Sequence, residues 1–273
     1  MQIFYSYEST NLAVTHKQDK SPIPAEFFMH THDVAEILIF VSGRGVFHIE
    51  GSEYPLHSGD IMIMRPAESH YIEINKNEPY ERLVINFSMD FFKAIDPDQN
   101  LTRPFTDRNA GCMNRYNSVD FENDNYRIFM ENIISDSKDK RIQIISNLIP
   151  LLNEICRAFE KKNDLQSENL STERQIIQYI NSNLTSDITL DSLCKKFYIS
   201  KPQLCRAFKK ATGTTVWEYI SVKRLIYIRS RIQSGGNPTK IFSECGFNDY
   251  SSFYRAYIKK FGCSPKADMP ERR

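Results

Sequence analysis

Between Leu193 and Gly262 the chain states one pattern twice, and no other feature restricts its fold as strongly. Leu204-Cys-Arg206-Ala-Phe208-Lys-Lys210-Ala-Thr-Gly213 aligns with Phe253-Tyr-Arg255-Ala-Tyr257-Ile-Lys-Lys260-Phe-Gly262 at an offset of 49, and Leu193 and Ile199 align with Ile241 and Phe247 at an offset of 48. Each copy reads as a short helix, a tight turn, a second helix with an Arg-Ala-aromatic core, and a terminating Gly, which is a helix-turn-helix unit. The stops and starts agree. Ser171 or Thr172 can open a helix to Asn183, and Ile188-Thr-Leu-Asp191 opens one ending at Phe197. Ser200 is an N-cap with Pro202 tolerated in the first turn, and Gly213 stops that helix. A long connector helix from Val216 to Gln233 then ends at Gly235-Gly236-Asn237-Pro238. Leu193, Ile199, Leu204, Phe208, Ile241, Phe247, Phe253 and Tyr257 form the expected core.

Two such units on one rigid connector suit two successive major grooves on one face of double-stranded DNA, about 34 Å apart. The exposed starts of the second helices are Lys201, Pro202, Cys205 and Arg206 in one copy and Tyr250, Ser251, Tyr254 and Arg255 in the other. Arg206 and Arg255 hold equivalent positions, from which an Arg reaches either a phosphate or guanine O6/N7, the latter discriminating bases by ~1–3 kcal/mol. Lys209, Lys210, Lys259, Lys260 and Arg224 are candidates for neutralising the DNA backbone. Charge supports this once it is divided. The whole chain carries a net charge of +1, but residues 1–170 hold 17 Lys and Arg against 26 Asp and Glu, a net of −9, and residues 171–273 hold 18 against 8, a net of +10.

The acidic part has a different texture. Short strand-type runs, Glu36–Val41, Val46–Ile49, Ile61–Met64 and Arg82–Phe87, alternate with Gly turns at 42–45, 50–52 and 57–60 in the segment from Phe27 to Phe87, which predicts an antiparallel sandwich or barrel. From Asp120 to Lys162 the spacing becomes helical, with Phe121, Ile128, Phe129 and Ile133, then Ile142, Ile145, Leu148, Ile149, Leu152, Ile155 and Phe159. The expected organisation is an α+β chain. A β-barrel domain spans 1–118, a helical pair 119–163, a polar linker 164–171, and an all-α domain with two helix-turn-helix units joined by a long helix 172–273.

In its last hundred residues the chain resembles the AraC/XylS family of bacterial transcription regulators. The residues that carry the resemblance are Ile188-Thr-Leu190, Ile199-Ser200, Leu204-Cys-Arg-Ala-Phe208-Lys-Lys, Gly246-Phe247-Asn-Asp-Tyr-Ser-Ser-Phe253-Tyr-Arg255 and Gly262-Cys-Ser-Pro265, a gapped pattern over seven helices. It implies sequence-specific binding near promoters, up- or down-regulation of transcription with RNA polymerase as a further partner, and a homodimer formed through the 119–163 helices. Several positions depart from the pattern. Cys194 and Phe242 stand where Ala is usual, Pro238 replaces an apolar residue, Ile228 and Arg231 replace Ala and Leu, and Lys266-Ala-Asp-Met269 replaces an aromatic-Arg pair. These departures bear on how the second unit packs.

All six histidines lie in the acidic part. His30-Thr-His32-Asp-Val-Ala-Glu36, Gly43, Gly59 and His70 match the spacing of the two cupin motifs, so the barrel is expected to be cupin-like. In a strand, positions 30, 32 and 36 share parity and face one side, with His70 opposite. The resemblance implies that His30, His32, Glu36 and His70 contact a small-molecule effector, often a sugar, with no cofactor and no metal. The same four could instead hold Mn, Fe, Ni or Zn. The alternative reading is therefore a metal-dependent cupin enzyme, an isomerase or dioxygenase with a DNA-binding appendage; the main reading is not an enzyme. His48 and His57 are expected at the surface. Six scattered cysteines without a C-x-x-C pair, no basic leader and no long apolar run point to a reduced, cytoplasmic protein without a membrane partner.

Overall fold

The computed structural model describes residues 1–22, 29–163, 171–247 and 249–269. Pro24, Phe27, Asn248 and the expected linker at 164–170 lie outside the described residues. Two compact units are present, Met1–Asn169 and Leu170–Arg273.

The first unit opens with two strands that the sequence reading did not assign, β1 (Gln2–Ser9) and β2 (Leu12–Asp19). The remaining strands are β3 (Ala35–Ser42), β4 (Gly45–Ile49), β5 (Ser52–Pro55), β6 (Ile61–Met64), β7 (His70–Ile74), β8 (Tyr80–Phe87) and β9 (Arg115–Tyr116). They pair antiparallel into a six-stranded sheet, β1-β2-β8-β3-β6-β9, and a three-stranded sheet, β5-β4-β7. Leu38, Phe40, Phe47, Ile49, Met62, Met64, Ile72 and Ile74 fill the space between the sheets. Residues 35–40 of β3 are buried on both faces because the odd positions, Ile37 and Ile39, are covered as well as the even ones. Beyond β8, Phe87 meets Phe92 and Phe105 edge to face. Phe105 belongs to the one-turn α1 (Arg103–Thr106).

Two helices complete this unit, α2 (Asn125–Ile133) and α3 (Lys140–Asn163), which pack on each other, with α3 also against α1. Ile144, Leu148, Leu151, Leu152, Ile155 and Phe159 form the buried stripe of α3. Ile142 and Ile128, part of the expected helical spacing, are 65% and 53% exposed. The buried stripe is rotated from the expected one, because the contact with α2 and α1 selects Ile144 and Leu151 in place of Ile142.

Among the described residues the second unit has six helices where the resemblance implied seven: α4 (Thr172–Ser182), α5 (Leu190–Phe197), α6 (Lys201–Thr212), α7 (Val216–Gln233), α8 (Pro238–Glu244) and α9 (Tyr250–Phe261). Residues 265–268 form a turn. Thr189 and Thr215 close capping boxes at α5 and α7, and Asp249 caps α9. Gly213 and Gly262 take the left-handed conformation that ends α6 and α9, at φ 73° and 72°. The hydroxyl of Ser200 makes no cap bond to the backbone and meets Gln203 instead. Two cores form along α7. One joins Ile176, Ile180, Leu193, Leu204 and Phe208 to Val216 and Ile220, and the other joins Ile241, Phe253 and Tyr257 to Leu225, Ile228 and Ile232. The second helix-turn-helix keeps a buried core despite its departures from the family pattern. Phe242 stacks on Phe253, with centroids 5.8 Å apart. Asp268 accepts from Arg229 at 2.9 and 3.0 Å and from Tyr257 at 2.6 Å.

Candidate functional site

The strand register builds a cavity in the barrel row by row. One row pairs Lys17 with Arg82 and Arg82 with Phe40; the next pairs Thr15 with Val84 and Val84 with Leu38; the third pairs Asn86 with Glu36 and Glu36 with Met64. The cavity holds ≈ 280 Å³ and is also lined by His30, His32, His70, Phe47, Ile72 and Tyr80. Lys17, Arg82 and Asn86 were missed by the sequence reading. Their signal was the alternation in Arg82-Leu-Val-Ile-Asn-Phe87, in which polar residues recur on the face opposite Leu83, Ile85 and Phe87.

His30, His32, Glu36 and His70 do come together, but not on one strand. Among them only Glu36 lies in β3; residues 33–34 bend ahead of it, and His30 pairs instead with His70 through reciprocal backbone bonds of 3.0 Å. The shared-parity argument is thus corrected, because a backbone bridge across the barrel mouth replaces the expected continuous strand. The rings of His30, His32 and His70 have centroids 4.4–5.3 Å apart. His32 Nε2 lies 3.1 Å from Glu36 Oε2, and His70 Nε2 lies 3.9 Å from Glu36 Oε1. Burial pushes the His70 imidazole down to about 4, although Glu36 opposes it. Burial acts to raise the Glu36 carboxyl, but the hydrogen bond from His32 and the neighbouring imidazoles outweigh it and hold the group at about 2. Two buried atoms on the cavity wall, His70 Nε2 and Asn86 Oδ1, have no hydrogen-bond partner. Arg82 is held by Asp19 at 2.7 Å, while burial beside Arg82 lowers the Lys17 ammonium.

His48 is 7% exposed, contrary to the surface expectation. It sits on the middle strand of the three-stranded sheet, where Tyr71 stacks on it with centroids 4.3 Å apart and planes 2° from parallel. His57, with its side chain 75% exposed, is a surface residue.

In the second unit, α6 turns Leu204, Phe208 and Thr212 inward and leaves Lys201, Pro202, Cys205, Arg206, Lys209 and Lys210 exposed. Helix α9 turns Phe253 and Tyr257 inward and leaves Tyr250, Ser251, Tyr254, Arg255 and Lys259 exposed, with Lys260 half-buried. Arg224 is a correction. It is 8% exposed, and its guanidinium donates to the carbonyls of Leu184 at 2.8 Å, Ser186 at 2.8 Å and Gly246 at 3.0 Å. It is therefore an interior strut and offers nothing to a phosphate.

A barrel with a polar cavity, followed by two helix-turn-helix units with matched basic faces, defines a transcription regulator with a ligand-binding domain. Residues 22–123 match the AraC-like ligand binding domain, and residues 193–269 match a helix-turn-helix domain of the AraC type. The chain belongs to the AraC family of DNA-binding transcription regulators. It is 25% identical over 258 residues to the HTH-type transcriptional activator RhaS of Mannheimia succiniciproducens, covering 89% of this chain and 90% of that one. It is 22% identical over 269 residues to the HTH-type transcriptional activator RhaR of the same organism, covering 96% and 92%. A crystal structure of ToxT from Vibrio cholerae aligns with 94% of this chain and 97% of its own at 13% identity and a TM-score of 0.43. Among the described residues no helix is long and apolar enough to cross a membrane.

Proposed function

We propose that this protein is a cytoplasmic, homodimeric activator of transcription whose promoter occupancy is set by a small polar effector bound in the barrel. The observation that carries the reading is the pairing of two equivalent exposed helix faces, Lys201–Arg206 and Tyr250–Arg255, with a cavity holding unsatisfied polar atoms. Arg206 and Arg255 read base edges or anchor to phosphate, while Lys209, Lys210, Lys259 and Lys260 neutralise the backbone. His30, His32, Glu36 and His70, joined by Lys17 and Asn86, contact the effector, and hydroxyl-rich ligands satisfy such a mixed donor and acceptor wall. Exposed Ile128 and Ile142 on α2 and α3 supply the apolar face of a dimer. The activator names of the relatives support a binding role for the barrel in preference to a catalytic one, and contact with RNA polymerase accompanies activation. Fluorescence-anisotropy titrations of promoter fragments against competitor DNA test the reading. Preference for particular fragments that persists as salt rises is expected, and equal affinity for all DNA at every salt concentration overturns it.

A further inference from the structure

The two ends of the barrel cavity call for opposite chemistry. At one end Lys17 and Arg82 stand side by side in the same row, on the adjoining strands β2 and β8. Arg82 is held by Asp19 at 2.7 Å and lies over the Tyr80 ring at 4.3 Å. Lys17 is half-buried on the cavity wall, and no carboxylate among the described residues comes within ion-pair distance of it. Burial and Arg82 both act against its charged form, and the pull of Asp19 and Glu36 does not make up for them. Positive charge is therefore left over at this end, and a partly buried cation is costly until an anion meets it. At the other end the unmet groups are acceptors. His70 Nδ1 lies 2.8 Å from the carbonyl oxygen of Glu68, which only accepts, so Nδ1 carries the proton of the neutral ring and Nε2 presents a lone pair. His70 Nε2 and Asn86 Oδ1 are both buried on the cavity wall with no hydrogen-bond partner. Glu36, in the same row as Asn86, is taken by His32 at 3.1 Å.

We propose that the effector is a sugar acid, a polyhydroxylated carboxylate, whose carboxylate pairs with Lys17 beside Arg82 and whose hydroxyls donate to His70 Nε2 and Asn86 Oδ1. The inference deepens the sensing role proposed above and rests on it. The rows of Arg82 and Asn86 are ~13 Å apart along β8, and the long stem of Lys17 covers part of that distance. A cavity of ≈ 280 Å³, just below the ~300–1,000 Å³ range of drug-sized ligands, fits a molecule of monosaccharide size bridging the two ends. Thr15, in the row between them, offers a hydroxyl to the middle of such a ligand. A neutral sugar leaves Lys17 unpaired and a fatty acid leaves both acceptors bare, so neither satisfies both ends.

The test is calorimetric titration of the full chain with D-galacturonate, D-glucuronate and D-gluconate, each beside its uncharged counterpart, D-galactose, D-glucose and D-glucitol, and with octanoate as an acid without hydroxyls. At least one sugar acid is expected to bind saturably and at least ~10-fold tighter than its uncharged counterpart, with octanoate not binding. Lys17→Met keeps the stem and removes the charge. It is expected to bring the acid down to the affinity of the uncharged counterpart, with a thermal midpoint no lower than that of the wild type. A lysine serving only the fold would instead lower the midpoint and leave the affinity ratio alone. Equal affinity for acid and counterpart, saturable binding of octanoate, an unchanged preference in Lys17→Met, or no binding of any sugar acid by folded protein overturns the proposal. Anisotropy titrations of promoter fragments with the same protein separate the two readings. Promoter preference without sugar-acid binding removes the acid and leaves the regulator, whereas sugar-acid binding without promoter preference keeps the ligand class and removes the regulator.

Discussion

Equivalent residues in the two helix-turn-helix units meet different demands. Tyr198 and Gly246 both occupy the turn between the paired helices in the left-handed conformation, at φ 54° and 74°. Tyr198 is 95% exposed, so its side chain gains nothing to offset the strain. Tyr198→Gly relieves ~1–2 kcal/mol of left-handed strain against ~0.5–1 kcal/mol of added chain entropy, a net gain of up to ~1.5 kcal/mol, seen as a higher thermal midpoint. Gly246 has no such freedom. A Cβ there would fall 2.5–2.7 Å from the guanidinium of Arg224, so Gly246→Ala is expected to cost ~2 kcal/mol or more on thermal or chemical denaturation. Nothing in the sequence marks Arg224 as the reason for this glycine, because the contact joins residues 22 positions apart on separate elements. A basic residue in a basic domain reads as a DNA contact until its burial is known.

At the scale of elements, the loop from Arg108 to Asn114 is fastened to the barrel by one buried ion pair. Arg108 and Glu68 have fully buried side chains and meet at 2.7 Å, and Glu68 also accepts from the Gly111 amide and the Asn114 side chain. Burial acts to raise the Glu68 carboxyl, but Arg108 wins and holds it at about 2, against an ordinary 4.5. As pH falls below 4.5 the unfolded chain therefore takes up the proton first, and stability is lost by up to ~1.4 kcal/mol per pH unit until about pH 2. Glu68→Gln is expected to flatten that slope in denaturant titrations at several pH values. Arg108→Ala, which strands the carboxylate, is expected to cost ~3–5 kcal/mol at neutral pH. The alternating runs made β3, β4, β6 and β8 legible, whereas β1 and β2 were not, since seven of the eight residues of β1 are polar or aromatic and its edge position leaves most of them exposed.

Across the whole DNA-binding unit, two hydrophobic cores share α7, and Arg224 bonds to the loop ahead of α5 and to the turn ahead of α9. This separates two kinds of arginine by experiment. Arg224→Ala leaves three carbonyls unsatisfied and is expected to cost ~2–4 kcal/mol of stability, read as a lowered thermal midpoint. Arg206→Ala and Arg255→Ala, both on exposed helix faces, are expected to leave the midpoint within ~0.5 kcal/mol. Each is expected to weaken promoter binding by ~1–3 kcal/mol in anisotropy titrations.

The sequence by itself determined the two-part charge, the duplicated helix-turn-helix with its caps, the strand runs of the barrel and the residues His30, His32, Glu36 and His70. The charge, the repeat and the strand runs rest on local composition and spacing, which helix and strand periods translate into faces, whereas the four residues were marked by motif spacing and brought together by the His30–His70 bridge. Tertiary structure alone decided that Lys17, Arg82 and Asn86 share a cavity with those histidines, that His48 is buried under Tyr71, that Arg224 is a strut, and which stripe of α3 faces inward. Each depends on register or contact between segments distant in the chain. Periodicity assigns a residue to a face, but only packing determines what that face meets.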